Sequence, residues 1–141
     1  MTADRHLRAS LLLIAVFLAV GLGLEAIAGL RPPGWNDDAL RRELLRLGHA
    51  HGALLGMLNL GVAWAMVRRG TPIAWASRVR IAALSGAAAV GGGFLGGGLW
   101  HGPTDPGPLV LAVPAGALLM LCSLVAVALL PKGGADPNPE P

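Results

Sequence analysis

The run Leu47-Gly48-His49-Ala50-His51-Gly52 sets two imidazoles two residues apart at the start of a long hydrophobic stretch. A third, His101, follows the glycine-packed segment Gly91 to Gly98, and one acid, Glu25, sits inside a separate apolar run. Neutral imidazole is a good ligand for Zn, Cu, Fe and Ni, and two imidazoles facing each other across a bundle can hold a haem iron. Ionisable groups in apolar segments are expensive to place and by default mark function. What these groups do depends on the elements that carry them.

The 141 residues are 13% charged, with a mean hydropathy of +0.61. A soluble domain averages about 25% charged residues. Four apolar runs, roughly 10 to 30, 44 to 67, 79 to 100 and 109 to 130, each approach the ~20 residues that cross a hydrocarbon layer ~30 Å thick. Lipid offers backbone groups no hydrogen bonds, so these runs predict helices. The expected fold is all-α: one integral membrane four-helix bundle over residues 1–131, in a lipid bilayer, followed by a Pro-, Gly- and acid-rich disordered tail over 132–141.

Lys and Arg collect in cytoplasmic loops. Arg5, Arg8, Arg68, Arg69, Arg78, Arg80 and Lys132 fall on one side, and Arg31, Arg41, Arg42 and Arg46 on the other. Both termini are therefore expected on the cytoplasmic side of a bacterial-type inner membrane. Ala26-Ile27-Ala28 imitates a signal-peptidase site, but the preceding apolar run is long for a signal peptide and an uncleaved first span is expected. The basic residues flank spans instead of forming one stripe, which suits anionic lipid and not nucleic acid. Cys122 is alone and reads as packing. No Cys-x-x-Cys-His, phosphate loop or nucleophile elbow is present. The glycines of 91–98 resemble a nucleotide loop, but inside an apolar run they read as helix packing.

Between the first two runs, Pro32 and Pro33 stop a helix and Asn36-Asp37-Asp38 offers an Asx cap for a new start near Ala39, with 39–46 a short charged turn leading into the second helix. Trp35 and Trp100 suit the outer interface, and Trp64 and Trp75 the inner one. Three prolines stiffen the outer loop 102–108 and should hold His101 and Asp105 near the surface. Gly48, Gly52 and Gly56 recur every four residues; Gly93, Gly97 and His101 do the same, as do Gly21, Glu25 and Gly29. Such stripes let membrane helices approach closely, so Glu25 and His101 are expected to face inward. His49 lies beside its own stripe, whereas His51 is turned about 200° away from it.

With cytoplasmic termini, Glu25, His49, His51 and His101 share the outer leaflet, and Asp105 lies just above. This grouping suggests a site for haem b or a transition metal (Cu, Zn or Fe), with Glu25 or Asp105 as further ligand, second-shell acceptor or proton acceptor. The bland alternative is that each histidine caps a helix end or faces water. His6, at the other end of the bundle, is excluded from the group. Because His49 and His51 point apart, they would serve two sites, or one subunit and its neighbour.

Gly48-His49-Ala50-His51-Gly52 resembles the His-x-His helix of the haem-copper oxidase superfamily and its smaller membrane relatives. In that family the two imidazoles serve haems on opposite sides of the helix. The likeness covers about ten residues, with His101 as a partner on another helix, and implies haem binding and electron transfer. Too few helices and histidines are present for an oxidase core, so oxygen reduction is not implied. Two other roles fit: a structural or assembly subunit of a larger membrane complex, or a homo-oligomeric proton- or ion-coupled transporter using Glu25.

Overall fold

Thr2 opens the first helix: its hydroxyl accepts from the Arg5 amide at 3.3 Å, and Asp4, in the first turn, pairs with Arg8 at 3.1 Å. An oxygen cap and an early acid both satisfy the positive end of a helix. α1 therefore spans Ala3–Leu30 and begins seven residues before the apolar run does. The computed structural model describes residues 1–35, 37–70 and 73–129, without the side chain of Ile73. The expected tail over 132–141 lies outside the described residues.

Asp38 caps α2, accepting from the Arg41 amide at 3.0 Å, so Ala39 is indeed the start. The expected charged turn over 39–46 is part of the same unbroken helix, Ala39–Arg68. Once capped, the segment is rich enough in Leu and Arg to keep winding. α3 spans Ile73–Leu99. A 3₁₀ turn, Pro108–Leu111, leads into α4, Ala112–Leu129, whose Pro114 sits in the first turn, where proline is tolerated. All four helices are long and apolar enough to cross a membrane, and no strand occurs among the described residues.

The helices pack in sequence order, α1 on α2, α2 on α3, α3 on α4, and α1 does not meet α4. They alternate in direction. At one end the Met1 ammonium bonds Ser77 Oγ, and Arg69 donates to the Ala128 carbonyl at 3.3 Å. At the other end the His101 ring bonds Asp38. A buried cluster centred on Val62, Met66, Val79, Ala83 and Met120 fills the Met1 end.

Elsewhere glycine decides the packing. A Cβ on Gly52 would lie 2.3 Å from the Phe17 ring, and one on Gly91 would lie 2.3 Å from the same ring and 2.9 Å from Gly52 Cα. Phe17 of α1 is thus a knob in a notch built by α2 and α3. Gly86 and Gly116 bring α3 and α4 together, each Cβ position only 2.7 Å from the other's carbonyl oxygen. Helices in lipid lack a hydrophobic drive to associate, and such close approach supplies dispersion contacts instead.

The stripes diverge from expectation in two places. Gly21 packs against α2, but nothing lies within 4 Å of a Cβ at Gly29, and residues 22–30 are mostly exposed. Past Gly21, α1 leaves α2, because no further notch receives it. Gly93 and Gly97 pack on Val113 and Val110, whereas His101, beyond the end of α3, turns to Asp38. The helical i+4 relation does not hold beyond the last turn. Cys122 is exposed on α4 and does not serve as core packing.

Candidate functional site

The carbonyl of Phe17 points up α1 toward residue 21, which is glycine. That missing side chain leaves room for the His49 ring, whose atoms lie 2.1 to 2.7 Å from where a Gly21 Cβ would be. His49 Nδ1 sits 2.7 Å from the Phe17 oxygen. A carbonyl only accepts, so Nδ1 carries a proton and the neutral ring has its lone pair at Nε2. Nε2 has no hydrogen-bond partner among the described residues.

Where α1 leaves α2, a cleft of about 510 Å³ opens, lined by His49, Gly21, Glu25, Trp35, Arg42, Glu43 and Arg46. Glu25 and His49 both line this cleft, and the carboxylate lies in the open and not within the packed interface expected of it. Arg46 pairs with Glu43 at 2.8 Å and Arg42 donates to the Trp35 carbonyl at 3.2 Å, which orders the wall of the cleft. On the other flank of α1 a second cleft of about 400 Å³ is lined mainly by apolar residues, among them Val20, Leu45, Leu95 and Leu99.

His51 takes the opposite face, as its spacing demands. Its Nδ1 donates to the Leu47 carbonyl one turn back, at 2.9 Å, and its ring rests on Phe94 with centroids 5.2 Å apart. In its neutral form this ring, too, has its lone pair at Nε2. His101 goes to a third place: Nε2 lies 2.9 Å from Asp38 Oδ2 and Nδ1 2.6 Å from the Gly102 carbonyl. Asp105 is held in the loop, its backbone oxygen accepting from Gly102 and its carboxylate from Thr104. Among the described residues no three His, Cys, Asp or Glu side chains gather around one point. His49 and Glu25 line one cleft, and His51, His101 and Asp105 do not line it.

Asp38 links the start of α2 to the end of α3. Its carboxyl is held below the ordinary carboxylate value, first by the Arg41 amide; burial pushes the other way, and the hydrogen bond and charge of His101 and the charge of Arg41 each add a smaller downward effect. A lowered carboxyl stabilises the fold in its ionised form. That contribution is complete above the unfolded value of about 3.9 and disappears as pH falls through the folded value. Unfolding followed from neutral pH into the acid range should show this loss for the native chain, and Asp38→Asn should flatten that part of the curve while destabilising the protein near neutrality.

Residues the sequence reading passed over form a second polar group at the Met1 end. His6 is fully buried, as are Ser10 and Asn59, and Arg80 is only 7% exposed. The His6 ring meets Asn59 Oδ1 at 3.0 Å, and Asn59 Nδ2 donates to the carbonyls of Leu55 and Ala83 at 2.9 and 3.3 Å. His6, at the far end of the bundle from the other histidines, is wound by the Thr2 cap into α1 and against α2. The available signal was Asn59, an amide inside an apolar run, because such a group in lipid must find a partner on another helix. Comparison with protein families, with curated proteins and with solved structures returns no match for this chain.

Proposed function

We propose that this chain is an integral protein of a bacterial-type cytoplasmic membrane, with both termini in the cytoplasm, that holds haem b or a transition-metal ion (Cu, Zn or Fe) near the outer leaflet and passes electrons. The observation that carries this reading is the His49 ring. It is clamped in the Gly21 notch with Nδ1 donating to a backbone carbonyl, which leaves Nε2 as a basic donor atom at a cleft containing Glu25. A carbonyl partner on the far nitrogen is how ligating histidines are held in one tautomer and one orientation. His51 repeats the arrangement on the other face.

Each face offers one imidazole, so the second strong ligand comes from Glu25 or from a neighbouring copy in a homo-oligomer or larger complex. His101, occupied by Asp38, positions the ends of α2 and α3. Iron in such a site supplies a one-electron couple; the chain supplies ligand geometry and an apolar wall. Purified full-length protein should show a Soret band or a stoichiometric transition metal, and His49→Ala should remove most of that signal while leaving the helical circular dichroism intact. Colourless, metal-free protein from cells supplied with haem and metals overturns the proposal.

A second reading rests on the same cleft. Glu25 and His49, lining one cleft with Arg42, Glu43 and Arg46, suit proton- or ion-coupled transport. Flux into liposomes that Glu25→Gln abolishes, in protein without a bound centre, selects transport.

A further inference from the structure

The polar group at the Met1 end leaves two nitrogen atoms buried without partners among the described residues, His6 Nδ1 and Arg80 Nε. Their protonation is set by their neighbours. Two carbonyls orient the Asn59 amide, so its Oδ1 accepts and His6 Nε2 donates. A neutral ring then presents a bare lone pair at Nδ1, while Arg80 Nε always carries hydrogen.

Arg80 also lacks a counter-charge. Its hydrogen bond runs from Nη1 to the Met1 carbonyl at 3.1 Å, and no carboxylate among the described residues lies within ion-pair distance. A buried guanidinium without an anion is costly in any protein and more so in a hydrocarbon layer.

We infer that His6 and Arg80 form a site for one small monoanion of halide size, taken up together with a proton. The proton binds His6 Nδ1, and the new Nδ1–H and the Arg80 Nε–H both donate to the ion. The ring and the guanidinium carry two positive charges between them, which the single negative charge partly offsets. The neighbouring side chains add no orphaned donor: Ser10 Oγ is committed to the His6 carbonyl at 2.8 Å, and Asn59 Nδ2 already donates twice. Sulfate and phosphate, which need more donors than two, are a poor match.

The ring has few other charges to answer to. From α2 it meets neutral Asn59; from α3 Arg80 is the charge that acts on it; on α1 itself Asp4 is exposed and paired with Arg8. Because both nitrogens are sealed, the ion enters by displacement of the first turn of α1, and helix ends open at least cost.

The test uses the full-length protein in mild detergent at constant ionic strength, with gluconate replaced stepwise by bromide. The thermal midpoint should rise saturably with bromide at about pH 5.5. The apparent affinity should weaken by up to about tenfold per pH unit on the alkaline side, more than tenfold in all by about pH 8.5. Arg80→Gln and His6→Phe should abolish the response, and Asp4→Asn should keep it. Line broadening of chloride-35 by the native chain, reversed by bromide, reads the same site without any variant. A response that fails to saturate, is equal at both pH values or is matched by sulfate overturns the proposal.

Discussion

Gly116→Leu is expected to detach α4 from α3 and to remove most of the stability that a denaturant titration in detergent measures. At this crossing the opposing atoms are backbone and near-backbone: the Gly86 carbonyl oxygen at 2.7 Å, Ala89 Cβ at 2.8 Å and the Val90 nitrogen at 2.9 Å from the Cβ position. None of these can rotate away, so the helices themselves must separate. Gly116→Ala should already cost about 2 to 3 kcal/mol, the upper end of the overpacking range. Gly92→Ala is the matched control, since nothing lies within 4 Å of a Cβ there. It should change stability by less than about 0.5 kcal/mol, or raise it through helix propensity. Equal losses for Gly116→Ala and Gly92→Ala contradict the crossing.

The second large effect belongs to Gly21, which touches no bound group itself. An alanine there places its Cβ 2.1 Å from His49 Cε1. The obstacle is a side-chain ring, so the ring swings out and the fold survives. It loses its bond to the Phe17 carbonyl, and with it the tautomer and direction of Nε2. If His49 is a ligand, Gly21→Ala should weaken the bound centre at least tenfold, of the size seen when a ligand's supporting contact is removed. Metal titration and the absorption spectrum read this directly. Gly23→Ala, two residues along and unopposed, should leave both unchanged. A Gly21→Ala protein with an undiminished centre means that the clamped ring is not the ligating one.

These substitutions separate two uses of glycine in the chain. At Gly86 and Gly116 the absent side chain admits a backbone, and at Gly52 and Gly91 it admits the Phe17 ring. At Gly21 it admits an imidazole. The first two kinds of notch hold the helices together; the third aims a chemically active atom. Leu22, Leu30 and their neighbours beyond Gly21 are exposed, and the cleft that receives Glu25 exists because α1 runs on there without a partner.

The number of helices, their apolar middles, the Asp38 cap and the opposed directions of His49 and His51 all follow from local rules of length, hydropathy, capping and the 3.6-residue turn, and they were legible along the chain. Helical periodicity states which residues share a face. It does not state which face meets which helix, and with 21 glycines many pairings look equally close-packed. The Asp38–His101 link joins positions 63 residues apart, and the burial of His6 against Asn59 joins positions 53 apart. Both arise from where α1, α2 and α3 cross, which shape complementarity around Phe17, Gly52 and Gly91 decides. The chain by itself therefore determined four apolar helices and the chemistry of their side chains. Only the tertiary structure decided that Glu25 shares a cleft with His49 but not with His51 or His101, that His101 serves as a clamp, and that a second polar group lies buried at the opposite end, because each of these depends on contacts between distant segments.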